Sequence, residues 1–418
     1  MINRIAKLSS LPPQRTVLWR AFQALSSYLV NAIILIGSIF ILEKHLSPEE
    51  LSSFFVYFLV ASIAAGLDPG TSKASITYAE GGAHFEAGAP LLFASSIKAI
   101  LLSPALIAVW LASLGAKSAM GDLAWVPIIA MIGFVATDMR VAFDARGQYT
   151  MAIWAKQGSL GLAALLPATA LMLDMSLSSG IAAACFVRVV WLRLFWLKGM
   201  NQSRAPISLT DHLFRRAWWH FLATSCLGAL SASIDRIAAL RLLDPASSNA
   251  YVLTYEILSK FWLINYLFAP IVFVQSARNG KHNPASKYAY FTILMAALPF
   301  IIFSMFFLEF LIPNSMRPLL EPVPLALFAL AIVLTAINGI LLAEAQALHF
   351  AKLATQSSAI GLIVSLIAFP ICMVIWGING LFLAWVIKST SEFLIFIKIK
   401  RNIQTVKLGQ IGNHEKSD

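Results

Sequence analysis

Charge is scarce in this sequence: only 12% of its 418 residues are Asp, Glu, Lys or Arg, where soluble domains carry about 25%. The 59% that are hydrophobic exceed what one aqueous core can bury, so the excess has to face lipid. Cysteine is scarcer still. Cys185, Cys226 and Cys372 all lie in apolar runs and form neither a disulfide framework nor a CxxC metal pattern. No Walker loop, HExxH, GxSxG or dinucleotide glycine pattern is present. No polar stretch is long enough to fold by itself. The sequence therefore predicts no enzyme, no bound metal and no cofactor. A soluble domain with its own chemistry is excluded.

What is there is a series of apolar runs, expected to be transmembrane helices at roughly 17–42, 50–67, 89–115, 122–143, 150–173, 176–198, 212–241, 247–276, 286–312, 323–347, 351–377 and 379–400. Met1 to Arg15 is short and basic and leads straight into the first run, so no removable signal is expected. The formal charge is +11, but the cations sit in alternate loops and at helix ends. They form no continuous stripe, which argues against nucleic acid as a partner. Arg4, Lys7 and Arg15, then Arg140 and Arg146, then Lys198 to Arg216, then Arg278 to Lys287, and finally Lys398 to Lys416 share one side. The other side holds little beyond Lys44, Lys117 and Arg317. Positive-inside orientation puts both termini in the cytoplasm of a bacterial inner (cytoplasmic) membrane and requires an even number of spans.

An internal repeat divides the chain. His45-Leu-Ser-Pro48 followed by Phe54 matches Leu242-Leu-Asp-Pro245 followed by Tyr251, an offset of 197 residues. Ala145, Gln157 and Gly161-Leu162 recur as Ala345, Ser357 and Gly361-Leu362, offset by 200. The expected fold is thus an all-α polytopic membrane protein of about twelve helices in two pseudo-symmetric six-helix bundles of like orientation. We place the N-terminal lobe at 1–198, a cytoplasmic linker at 199–211, the C-terminal lobe at 212–401 and a cytoplasmic tail at 402–418.

Polar residues inside apolar spans are the candidates for function, because a charge near the bilayer centre costs at least about 2.5–3.5 kcal/mol. Arg20, Gln23, Ser27, Asn31 and Ser38 share one face of the first span. The offset of 197 takes Ser27 to Thr224, Asn31 to Gly228 and Ser38 to Asp235, and Ser231 lies on the same face of the seventh span. These faces predict a polar cleft between the lobes; helix–helix contact through small residues is the alternative. Arg20, Lys98, Lys156, Arg188, Arg236, Lys260 and Lys388 are the candidate cations of that cleft, with Arg20 and Lys156 close enough to the interface to snorkel. Asp235, Glu256 and Glu392 accompany them as candidate coupling carboxylates. Glu256/Lys260 and Lys388/Glu392 are each spaced i, i+4 and can neutralise themselves on one helix. Arg188, Lys98 and Arg236 have no carboxylate one turn away on the apolar face. The cationic excess predicts an anionic cargo. Asp68, beside Pro69 and Gly70, is a hinge candidate or a plain span end.

Two stretches resemble a known family. Leu46-Ser-Pro-Glu-Glu50, leading into a span that closes with Leu67-Asp-Pro-Gly-Thr71, is similar to the opening of bacterial polysaccharide flippases of the multidrug/oligosaccharidyl-lipid/polysaccharide (MOP) exporter superfamily. Ser233-Ile-Asp-Arg-Ile237, Leu242-Leu-Asp-Pro245, Tyr251, Ala269-Pro270 and Arg278 resemble the start of that family's second half. Pro69 and Ser47 depart from its usual pattern. The resemblance implies a V-shaped pair of bundles that alternates its access and moves undecaprenyl-pyrophosphate-linked oligosaccharide, an O-antigen or exopolysaccharide unit, to the periplasmic leaflet. It implies a monomer in membrane lipid, driven by a proton or sodium gradient, with other polysaccharide assembly proteins as partners. The runner-up is a cation-coupled multidrug exporter of the same superfamily; an intramembrane polysaccharide polymerase ranks lower, because no outer loop exceeds about 15 residues.

Overall fold

A computed structural model of the protein describes residues 14–66, 126–145, 149–200, 212–279, 284–348 and 350–414. Every regular element among these residues is helical. Helices α1 (Gln14–His45) and α2 (Pro48–Gly66) cover the first two expected spans, and α3 (Val126–Ala145) the fourth. The fifth begins with α4 (Tyr149–Ile153), passes through a π-helical turn at Trp154–Gly158 and continues as α5 (Ser159–Met172). Helix α6 (Leu177–Met200) is the sixth. The expected third span and Asp68 lie outside the described residues, as do Lys98 and positions 201–211 of the linker.

The second half repeats the plan with local breaks. The seventh span is α7 (His212–Ser231) and α8 (Ile234–Leu242), separated by a turn at 232–233. The eighth is α9 (Pro245–Leu258), a 3-10 turn and α10 (Leu263–Asn279). Helices α11 (Pro284–Phe306) and α12 (Pro322–Ala347) follow. Five described stretches are long and apolar enough to cross a membrane by length and composition: Leu177–Phe195, Pro245–Phe273, Pro284–Phe306, Pro322–Ala347 and Lys352–Lys398.

The last stretch belongs to a continuous helical run, Ala351–His414, whose backbone leaves the helix only at Gly377, at φ 57° and ψ −135°. A Cβ placed on Gly380 would overlap the carbonyl oxygen of Cys372, and one on Gly361 would overlap the Glu392 carboxylate. Residues eight apart in a straight helix are about 12 Å distant, so the chain reverses at Gly377. It makes two antiparallel helices, α13 (351–376) and α14 (378–414). Helix α14 runs unbroken past Arg401, so the expected tail at 402–418 begins as helix, with 415–418 outside the described residues.

The repeat has a physical basis in how two helices start. At α2, Ser47 and Glu50 form a reciprocal cap: the Ser47 amide donates to Glu50 Oε2 at 2.9 Å and the Glu50 amide to Ser47 Oγ at 3.3 Å. At α9, the equivalent Asp244 accepts from the Ser247 amide at 2.9 Å, which holds its carboxyl below the usual range. Proline follows the cap in both, where its missing donor costs nothing. Packing then follows the halves: α1 lies on α5, α2 on α3 and α5 on α6, while α12 lies on α10, α11 and the α13–α14 hairpin, and α7 on the hairpin.

Gly377 and Gly380 together form the reversal. Gly377→Ala and Gly380→Ala are each expected to cost about 1–3 kcal/mol through the strained φ or the lost close approach. Lower thermal stability of each variant in detergent, with Gly37→Ala as the unstrained control, is the measurement that checks this; no neighbour lies within 4 Å of a Cβ at Gly37.

Candidate functional site

The seventh span breaks where its charges are. The turn at 232–233 frees the Ala232 carbonyl, which accepts from Arg236 Nη2 at 3.2 Å and from the Tyr255 hydroxyl at 3.4 Å. Arg236 thereby turns inward, with its guanidinium 4.1 Å from the centroid of the Tyr255 ring. Its carboxylate partner comes from the next span: Nη1 donates to Glu256 Oε1 at 2.9 Å. The other Glu256 oxygen accepts from Lys260 Nζ at 3.1 Å. Beside them Asp235, wholly buried, accepts at Oδ2 from the Tyr251 hydroxyl at 2.6 Å and from Trp385 Nε1 at 2.9 Å. Lys388 caps the cluster, lying 4.2 Å from the Trp385 ring centroid and 3.7 Å from Glu392.

This network is electrically balanced. Asp235, Glu256 and Glu392 face Arg236, Lys260 and Lys388. Among these six described residues cations and carboxylates are equal in number, and Arg236 and Lys388 sit buried inside the bundle. Lys260 keeps 30% of its side chain exposed. The i, i+4 pairs foreseen from spacing both form, but Arg236 joins one of them from another helix, a contact that spacing along a single helix does not reveal.

The polar faces also turn inward. Thr224 meets Thr355 on α13 at 2.9 Å, and Ser231 meets Ser365 at 3.0 Å. In the first half Asn31 donates to Gln157 at 2.9 Å. Each first helix of a half thus presents its polar residues to the fifth helix of the same half, at Asn31, Thr224 and Ser231. Helix–helix contact describes these three, in place of the expected inter-lobe cleft. Arg20, Gln23 and Ser27 lie on α1, and their side chains are outside the described set. Lys156 is buried within the π turn.

Arg188 is different. It is completely buried on α6, and its Nε donates to Ser159 Oγ at 3.0 Å. Neither Nη1 nor Nη2 has a hydrogen-bond partner. Tyr57 and Cys185 are its electrostatic neighbours, and the Tyr57 hydroxyl already donates to the Ala163 carbonyl at 3.0 Å. The repeat offset of 200 carries Arg188 onto Lys388. Both halves therefore bury a cation at one position of their sixth helix, and among the described residues only the second supplies a carboxylate. That equivalence, with the supporting roles of Tyr251, Tyr255 and Trp385, was missed from sequence; extending the offset of 200 by one more helix would have found Lys388.

The halves touch at the start of α2 and α9. Asn249 Nδ2 donates to the Pro48 carbonyl at 3.0 Å, and Ser52 Oγ donates to Asn249 Oδ1 at 2.9 Å. Ser52 and Asn249 are 197 apart, the repeat offset itself. Equivalent residues meet each other only on a two-fold axis, so the pseudo-symmetry axis runs between these side chains. Nearby, Ser315 Oγ donates to Glu43 at 2.8 Å.

No protein-family model matches the chain, and no curated protein matches it. Solved structures do. A MOP superfamily transporter from Pyrococcus furiosus, described as having a binding pocket of reversed polarity that suggests a different function, has a TM-score of 0.71 at 17% identity over 94% of this chain and 97% of that one. An outward-facing multidrug resistance MATE family transporter of the MOP superfamily has a TM-score of 0.65 at 18% identity, with the same coverage. A Vibrio cholerae MATE transporter follows at 0.67 and 16%, covering 93% of this chain and 98% of its own. The protein has the MOP-transporter fold.

Glu256 holds two cations. Glu256→Gln is expected to cost about 3–5 kcal/mol by stranding buried Arg236, and Lys260→Gln less than about 1 kcal/mol because its head is partly solvated. Denaturation of the purified variants checks the order, and equal losses would refute the assignment of Arg236–Glu256 as the central pair.

Proposed function

We propose that the protein is a membrane transporter that moves undecaprenyl-pyrophosphate-linked oligosaccharide repeat units from the cytoplasmic to the periplasmic leaflet of a bacterial inner membrane. The fold supports transport by alternating access of two six-helix lobes. The observation that carries the cargo is the sign of the charge left over. Each described carboxylate of the buried C-terminal network has a donor or cation of the chain on at least one oxygen, so none is wholly free for a cationic drug. In the first half the sequence puts Arg20 and Lys98 in apolar spans, which makes the added charge positive. Pyrophosphate is the group that resists entering hydrocarbon, and Arg or Lys can replace its water. The sugars need a polar path, whereas the polyprenyl tail can stay in lipid.

The C-terminal network is the seat of coupling in this reading. Asp235 Oδ1 has no hydrogen-bond partner and lies 3.9 Å from Arg236 Nε. Loading a proton or sodium ion there would loosen the hold of Asp235 on Arg236, and so on the Ala232 turn. A multidrug exporter is the second reading, favoured by solved neighbours of this fold that are multidrug transporters.

Deleting the protein from its host is expected to leave complete lipid-linked repeat units on the cytoplasmic leaflet, with drug susceptibility unchanged. Drug hypersensitivity with normal lipid intermediates would favour the exporter, and unpolymerised units on the periplasmic side a polymerase. In a cysteine-free background, a Ser52→Cys/Asn249→Cys cross-link is expected to arrest transport, with reduction restoring it, because alternation must part the helices that meet on the axis. Full transport by the cross-linked protein would refute that requirement.

A further inference from the structure

The guanidinium of Arg188 is buried in the first half, and neither Nη1 nor Nη2 makes a well-formed hydrogen bond to the described residues; a charged arginine has few ways to exist there. It cannot shed its proton, since arginine stays protonated in proteins. Among the described residues no carboxylate pairs with it: Ser159 takes Nε, and Tyr57, which sends its own proton to Ala163, offers the guanidinium only a neutral hydroxyl oxygen. The equivalent cation of the second half, Lys388, is 3.7 Å from Glu392. The residue equivalent to Glu392 in the first half is Leu192, a buried apolar side chain. The two halves therefore each present a buried cation at the equivalent place, and among the described residues only the second faces it with a counter-charge.

The walls around Arg188 are built and rigid. The π-helical turn at Trp154–Gly158 ends next to Ser159, and π turns inside helices are frequent at functional sites. Trp191, one turn beyond Arg188, donates from Nε1 to the Trp154 carbonyl at 3.1 Å and packs on Gly158, where a Cβ would come within 2.8 Å of its ring. The π turn is thus stapled to α6 on the flank that carries Arg188. No part of the arginine reaches solvent, so a sugar-linked pyrophosphate is too large for the place in this conformation.

We propose that Arg188 holds a small monovalent inorganic anion of the chloride class, which occupies in the first half the electrostatic role that Glu392 has in the second. The anion accepts from Nη1 and Nη2, and the Ser159 contact fixes the plane of the guanidinium. It is a resident counter-ion of the helix bundle, distinct from the cargo, and it does not depend on what the transporter carries.

The test uses the full-length protein in detergent, melted in sodium chloride and in sodium gluconate at equal ionic strength, with gluconate too bulky for the site. The native protein is expected to melt at a higher temperature in chloride, with a saturable dependence on chloride concentration. Arg188→Met is expected to abolish the difference between the two salts. Leu192→Glu, which installs the carboxylate of the second half, is expected to abolish it as well, while melting in gluconate at or above the native protein in chloride. Equal melting of the native protein in both salts would overturn the inference and leave the guanidinium to water or to a carboxylate elsewhere in the chain. A chloride effect that survives Arg188→Met or Leu192→Glu would overturn it too, by placing the ion at another site. Should either variant fail to fold, the native comparison and the other variant still decide. Transport is not the readout, so failure here leaves the proposed cargo standing, and failure of the cargo leaves the anion standing.

Discussion

The cost of an unmatched charge in hydrocarbon governs this molecule more than any other term. Six ionisable side chains of the C-terminal half meet that cost collectively: Glu256 bridges Arg236 and Lys260, Lys388 takes Glu392, and Asp235 is held by Tyr251 and Trp385. The break in the seventh span belongs to the same arrangement, because Arg236, in the first turn of α8, bonds Glu256 and also the Ala232 carbonyl at the break. Aromatic rings complete the shell. Trp385 lies among Tyr255, Trp262, Phe328 and Phe369, with centroids 5.8–5.9 Å away. Dry rings with two polar hydrogens pointed at one carboxylate oxygen make a site whose charge state and geometry are tightly linked.

Much of the architecture was legible because lipid imposes length and polarity on each span. The helix starts at Pro48 and Pro245 fall two residues before the spans expected from 50 and 247, and the reversal between the last two spans falls at Gly377, where the apolar runs divide. The repeat offset of 197 was visible in Pro48 and Pro245 and is realised as a hydrogen bond between Ser52 and Asn249. The choice of partners was not legible. Periodicity places Asn31 and Thr224 on a polar face but is silent on which neighbour that face meets, and both meet the fifth helix of their own half. Glu256 looks from spacing like a private partner of Lys260, yet its shorter bond goes to Arg236, twenty residues away. The π turn at Trp154–Gly158 has no local signature, since packing of Trp191 against Gly158 decides it.

Duplication explains why the two halves differ where it matters. Equivalent positions begin with equivalent surroundings, so the pair Arg188 and Lys388 marks a cation present in both halves. One half closed its circuit internally with Glu392, and the other left a guanidinium with open donors. Division of labour follows: a balanced, self-contained network suits a switch driven by a small cation, because adding one charge unbalances it. A cation kept open suits contact with anions.

The position of the symmetry axis constrains how such a switch can act. Two lobes related by an axis along the membrane normal separate at one end only by parting the side chains that lie on it. Here those side chains are Ser52 and Asn249, in the first two turns of α2 and α9, and Asn249 is bonded at both ends of its amide. Helix α9 also carries Tyr251, Tyr255 and Glu256, on which Asp235 and Arg236 depend. Asn249 is only two residues from Tyr251. The path from the network to the contact between the halves is therefore half a turn of one helix, and the proposed coupling would run along it in both directions, since parting the halves at Asn249 would pull on the helix that holds Glu256 against Arg236.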